Sequence, residues 1–246
     1  MSVPRPIRVV GALVLPFMFA ACKDKPKEQV PPAAAAPEAP AALAAPVAVP
    51  ASCVAIEARS APTSKSPSAT PAPSPERFCV AFETSKGNFT IDVTRSLAPI
   101  GVDRFYEMVQ SGFFADVRFF RVVPGFVAQF GMHGDPKING EWMNSSLRDD
   151  PVKESNKRGT IVYASMMRPD TRSSQFFVNF GDNVSLDSQG FAPFGHVVEG
   201  MEVVDKINAE YGESPDQSRI EAEGNAYLVK AFPKLDYIKS AKVITK

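Results

Sequence analysis

The chain has little with which to do metal or nucleophile chemistry. Its 246 residues include three cysteines, two histidines and one tryptophan. His133 and His196 stand at no metal-ligand spacing to each other or to a cysteine, so no metal site is expected. Neither G-x-S-x-G nor G-x-x-x-x-G-K-[ST] occurs, which removes the familiar hydrolase and nucleotide-binding signatures. No motif asks for a cofactor. An excess of one charge is also missing. The chain has 27 Lys+Arg against 27 Asp+Glu, and without residues 1–21 the balance is 25 against 27. Such a chain gives no electrostatic case for nucleic acid as a partner.

The N-terminus lacks an apolar run long enough to cross a bilayer. Val9 to Ala21 is apolar, but thirteen residues fall short of the roughly 20 that a spanning helix needs. With Arg5 and Arg8 ahead of it, the run reads as a signal peptide over residues 1–21. It ends in Phe19-Ala20-Ala21-Cys22, which resembles a bacterial lipobox, with Phe19 where Leu is usual. The resemblance implies lipidation at Cys22 and attachment to a membrane. Lys23, rather than Asp, follows the cysteine, and by likeness to lipoprotein sorting signals this favours the outer membrane, facing the periplasm. In an oxidising compartment Cys53 and Cys79 have the choice of pairing or remaining as two thiols.

Residues 23–76 have no aromatic side chain at all, and hold 12 prolines and 16 alanines. Such a stretch cannot build a packed core. With Cys22 and Arg77 it makes up an expected disordered Pro/Ala-rich linker, residues 22–77, between anchor and domain. From Phe78 the pattern changes. Val80, Phe82 and Thr84, then Phe89, Ile91 and Val93, alternate with polar or small neighbours around Ser85-Lys86-Gly87-Asn88, the pattern of a β-hairpin. Pro99 suits the first turn of a helix whose apolar stripe is Val102, Phe105, Tyr106, Val109 and Phe113. Short strands are expected at 118–122, 126–130, 160–164, 175–180, 194–198 and 238–244. Helical pieces are expected at 201–208 and 225–232, and a long polar loop at 134–158. Many short strands with few helices between them argue for an antiparallel barrel or sandwich.

Three blocks within residues 78–246 carry a family resemblance. Phe119-Phe120-Arg121-Val122-Val123-Pro124-Gly125-Phe126-Val127-Ala128-Gln129 resembles the cyclophilin signature F-[HS]-R-[IV]-[IV]-P-x-F-x-x-Q. Ser174-Gln175-Phe176-Phe177 matches the family's S-Q-F-F. Leu186-Asp187, followed by Phe194-Gly195-His196-Val197-Val198-Glu199-Gly200-Met201, matches its L-D…F-G-x-V-x-x-G-M. The resemblance implies a mainly β fold, a closed eight-stranded antiparallel β-barrel capped by two helices, with the substrate groove on its outer face. It also implies a cofactor-free activity, peptidyl-prolyl cis-trans isomerisation, on proline-containing polypeptides, by a domain expected to be a monomer. Carried over residue by residue, Arg121 is the catalytic arginine and Gln129 the groove glutamine. Phe126, Val127, Phe177, Leu186 and Phe191 line the proline pocket, Ser165 falls where the family places a small groove residue, and Met166 aligns with its backbone-binding neighbour. Many eukaryotic cyclophilins have Trp just before the Leu-Asp pair where this chain has Ser185, and His where it has Phe120. These departures motivate a second reading, a proline-segment-binding chaperone module with little turnover.

In a strand, Phe176 and Phe177 point to opposite faces, so one of them must be core. The resemblance assigns Phe177 to the groove.

Overall fold

The computed structural model describes Cys53 and residues 66–244. The expected signal peptide and the lipidation site at Cys22 lie outside the described residues. The hairpin forms as β1 (Arg77–Thr84) and β2 (Gly87–Thr94), in antiparallel register from Arg77↔Thr94 to Thr84↔Gly87. Helix α1 (Pro99–Ser111) follows, with proline in its first turn. It ends at Gly112, whose φ of 74° is the left-handed cap that favours glycine.

The remaining strands are β3 (Val117–Arg118), β4 (Arg121–Val123), β5 (Val127–Phe130), β6 (Thr160–Tyr163), β7 (Phe176–Asn179), β8 (Pro193–Glu199) and β9 (Tyr237–Val243). They form one antiparallel sheet in the order β3-β9-β1-β2-β8-β6-β7-β5-β4. The sheet is therefore a nine-stranded open half-barrel rather than a closed eight-stranded barrel. The reason lies at Phe119-Phe120. The two edge strands, β3 and β4, are neighbours in the chain; Phe119 still follows β3, donating its N–H to the Asp236 carbonyl in line with the β3–β9 pairing, whereas β4 pairs with β5, so no ladder joins the two edges. A stretch expected as one strand is split there.

More helix is present than the two expected caps. The described residues include α2 (Pro136–Met143), α3 (Met201–Val204), α4 (Gln217–Glu223) and α5 (Asn225–Ala231) besides α1. Helix α2 lies inside the expected 134–158 loop. Its signal is local: Asp135 accepts the N–H of Lys137, and Pro136 opens the first turn. The piece expected at 201–208 is helical only to Val204.

The inner face of the sheet and α1 enclose one aromatic core. Phe82, Phe105, Phe114, Phe130, Phe176 and Phe194 are at most 1% exposed and touch one another edge-to-face or tilted. Each such ring removed from water contributes about 2–3 kcal/mol. This rigid interior is what fixes the positions of the outward-facing side chains on the same strands.

The end of the expected linker belongs to the folded body. Ser74 donates its backbone N–H and hydroxyl to Asp103, and Ser68 donates its N–H to Glu107, both on α1. The Ser68 carbonyl in turn accepts from the buried Arg104 guanidinium, which also lies over the Trp142 ring. Cys53 and Cys79 are joined by a disulfide.

Candidate active site

Registry across four strands builds the site. Arg121 on β4 pairs with Gln129 on β5, Gln129 with Phe177 on β7, and Phe177 with Val162 on β6. Residues directly opposite in a ladder share a face, so these four side chains form one row on the outer surface. The adjacent row, Val122, Ala128, Val178 and Ile161, has the opposite parity and sits in the aromatic core. Phe176 is likewise in the core and Phe177 in the outer row.

Phe177 and Val162 of this row pack with Val127, Leu186 and Phe191 as a separate apolar cluster, with Phe126 and Ala164 against it. The Phe177 and Phe191 rings meet edge-on with centroids 5.8 Å apart. This cluster floors a cavity of about 540 Å³. The cavity is lined by Arg121, Gln129, Phe126, Val127, Ser165, Met166, Phe177, Leu186 and Phe191 together, the nine groove residues proposed from the sequence. Arg121 and Gln129 are the cation and the amide at its mouth. Gln129 is 7% exposed. Its oxygen accepts from Arg121 Nη1 at 3.2 Å and its nitrogen donates to Gln175 at 2.8 Å. The Arg121 guanidinium carbon lies 5.7 Å from the centre of the Phe126 ring, within cation–π range.

Sequence reasoning missed several parts of the wall. Met143 from the end of α2, Gln217 and Glu221 from α4, Gln175, and Met167 next to Met166 also line the cavity. Gln175 stands inside the S-Q-F-F block and could have been taken with it. The α2 and α4 residues gave no signal, because both helices were unforeseen. Met166 and Met167 are 65% and 63% exposed, so they form a lip rather than a floor.

One partly buried polar knot holds the far wall. Asp187, next to Leu186, accepts from Ser155 Oγ at 2.5 Å and from the backbone and side-chain nitrogens of Asn156 at 2.8 Å. The same Asn156 side chain donates to the Phe191 carbonyl. Partial burial pulls the Asp187 pKa upward, but these three hydrogen bonds outweigh it and hold the carboxyl below its ordinary range. A carboxyl with a lowered folded-state pKa stabilises the fold above its unfolded pKa, about 3.9. That contribution is lost as the pH falls through the folded value. Urea unfolding from pH 6 to pH 3 is expected to show a stability loss that is smaller in Asp187→Asn than in the wild type. Equal losses would mean that the knot contributes nothing.

Residues 79–225 match the family described as cyclophilin type peptidyl-prolyl cis-trans isomerase/CLD. The chain belongs to the cyclophilin family. The cyclophilin is an enzyme of the peptidyl-prolyl cis-trans isomerase class. It is 36% identical over 177 residues to peptidyl-prolyl cis-trans isomerase A of Dickeya dadantii, covering 68% of this chain and 85% of that one. It is 33% identical over 180 residues to peptidyl-prolyl cis-trans isomerase B of Escherichia coli, covering 68% of this chain and 99% of the other. Among solved structures it resembles a cyclophilin type isomerase of Cryptosporidium parvum, with a TM-score of 0.51 at 21% identity over 69% of this chain and 99% of that one. That likeness shows the fold.

Proposed function

We propose that this cyclophilin turns X-Pro bonds of envelope proteins by presenting Arg121 to the prolyl nitrogen above an apolar pocket. The observation carrying this reading is the single outward row of Arg121, Gln129 and Phe177 over the Val127, Leu186 and Phe191 floor. Rotation about an amide breaks C–N resonance, at a barrier of about 18–20 kcal/mol. The two X-Pro isomers differ by only about 0.5–1 kcal/mol, so rate, not equilibrium, is what needs help. In the twisted state the nitrogen lone pair is localised and accepts a hydrogen bond. A guanidinium aimed there gains an interaction that the planar ground state does not offer.

Each part of the groove then has a task. The floor takes the pyrrolidine ring and excludes water, and the twisted amide, being less polar than the planar one, loses less by leaving water. Gln129 holds the carbonyl on one side while the Met166 position holds the backbone on the other, beside the small Ser165. No proton moves and no covalent bond breaks.

The Cys53–Cys79 disulfide supports an oxidising compartment, consistent with a lipid anchor at Cys22 and an outer-membrane position facing the periplasm. Palmitate labelling in a bacterial host is expected on the wild-type chain and absent from Cys22→Ser. Labelling that persists in the variant would remove the anchor from this reading. For the catalytic part, exchange NMR on a short peptide with one X-Pro bond is expected to show cis–trans exchange far faster than the uncatalysed 10–100 s. Tight peptide binding without faster exchange would favour the chaperone module instead.

A further inference from the structure

The Arg121 guanidinium is held on two sides, and only one of them comes from the signature block. Oε1 of Glu213 lies 2.6 Å from both Nε and Nη2 of Arg121, although 92 residues separate the two in the chain. The Gln129 contact to Nη1, at 3.2 Å, is at the long limit for such a bond. Glu213 is therefore the tighter of the two partners.

The loop that delivers Glu213 is pinned. Val122, next to Arg121, points its N–H off the free edge of β4, where the Gly212 carbonyl accepts it at 3.1 Å. Gly212 has a φ of 52° and open space where a Cβ would stand, so the turn there suits glycine. Its N–H bonds to the Ala209 carbonyl, and the Ser214 N–H bonds to the Tyr211 carbonyl. Tyr211 packs edge-on against Phe232, and Asp216 donates its N–H to the Tyr227 hydroxyl. Because Gly212 is tied to Val122, the next residue of the loop falls beside the next side chain of the strand.

We infer that Glu213 is a positioning residue for isomerisation, orienting the Arg121 guanidinium from the side opposite Gln129. An arginine offers five N–H donors in one plane. Glu213 takes the Nε and Nη2 edge and Gln129 takes one donor of Nη1. One N–H on each terminal nitrogen is left for the substrate. With two edges anchored and one face over Phe126, the plane of the fork is set before the peptide arrives, and no rotamer search is needed at the twisted state. Without the carboxylate, the one remaining hydrogen bond to Gln129 leaves the group free to pivot. The charge of Glu213, 62% exposed on its side chain, is largely answered by water. What it contributes is an acceptor at a fixed place.

This inference rests on Arg121 being the catalytic group, and the experiment separates the two. Values of kcat and KM are to be read by exchange NMR on a tetrapeptide with one Ala-Pro bond, for wild type, Glu213→Ala, Glu213→Gln and Arg121→Ala. Glu213→Ala is expected to lower kcat about tenfold with KM within about twofold, since misplacing a reacting group by an ångström costs up to about a hundredfold. Glu213→Gln keeps a carbonyl oxygen at the same reach and is expected to return kcat to within about threefold of wild type. Full activity in Glu213→Ala, or a gain, would overturn the inference and mark the carboxylate as an obstruction. Equal losses in the Ala and Gln variants would overturn it too, since charge and not orientation would then matter, and so would a change confined to KM. An active Arg121→Ala would instead remove the catalytic arginine itself, whatever the Glu213 variants do. Glu213 is exposed on a loop, and unchanged far-UV circular dichroism and Tm in its variants are expected.

Discussion

Arg121→Ala is expected to lower kcat/KM for an X-Pro peptide by about a hundredfold, the usual result of deleting one transition-state donor from a preorganised site. The fold should hardly notice. The Arg121 side chain is one-quarter exposed, its ion-pair partner is mostly in water, and such pairs contribute about 0–1 kcal/mol. Gln129 keeps its bond to Gln175 after the change, so no buried amide is left without a partner. A shift in Tm of no more than about 2 °C is expected for a domain of this size. Arg121→Lys is the sharper comparison, because it keeps the charge. A lysine places a single ammonium where the arginine has a planar fork with anchored edges. It cannot be held by Glu213 and Gln129 while also offering two donors to substrate, so it should recover only a small part of the loss. If Arg121→Ala kept activity within about twofold, the electrostatic account of catalysis would have to be given up, and desolvation by the floor alone would become the working explanation.

Those roles were legible because the information is local. Between Arg121 and Gln129 the chain makes one tight hairpin through Pro124-Gly125, with the Phe126 N–H returning to the Val123 carbonyl. That turn forces Arg121 opposite Gln129, and once the register is set, strand alternation puts Phe177 outside and Phe176 inside. What escaped depends on contacts distant in the chain. Glu213 meets Arg121 only because a loop between α3 and α4 crosses the free edge of β4. Helices α2 and α4 have 8 and 7 residues, too short for periodicity to stand out or for helix propensity to stabilise them alone. Trp142, within the stretch 134–158 expected as a polar loop, is 1% exposed and lies under the Arg104 guanidinium. Residues 66–76 have the composition of a linker because nothing in them is aromatic. They are held by polar bonds to Asp103 and Glu107, which hydropathy does not see. The closed barrel expected from the family likeness is open for a similar reason: β3 pairs with the distant β9 and β4 with β5, and nothing local at Phe119-Phe120 signals that change of partner.

Asp150→Ala is expected to be the most damaging single change outside the aromatic core. Helix α1 begins after Ala98, which has no side chain to cap it. Its orphan N–H groups at Ile100 and Gly101 are taken instead by the two carboxylate oxygens of Asp150, at 3.1 and 2.9 Å, from about fifty residues downstream. The side chain is 1% exposed, and Arg172 Nη1, on a side chain 3% exposed, lies 3.1 Å away. Arg172 also bonds the Arg148 carbonyl and Asp149, and lies over the Tyr163 ring, whose hydroxyl donates to the Gly101 carbonyl. Removing the carboxylate uncaps α1 and leaves a buried guanidinium balanced only by Asp149, which is 40% exposed. Breaking a buried pair in this way costs about 3–5 kcal/mol, or about 10 °C in Tm for a domain of this size. Asp150→Asn retains an acceptor but no charge, so it should fall between Ala and wild type. The damage should reach the groove as well, since Leu147 bridges to Arg172 and its neighbours Ser146, Thr171 and Ser173 line the cavity. A raised KM for the X-Pro peptide is expected alongside the lost stability. A Tm within about 3 °C of wild type in Asp150→Ala would show that α1 does not depend on this distant cap, because even 1 kcal/mol is visible on that scale.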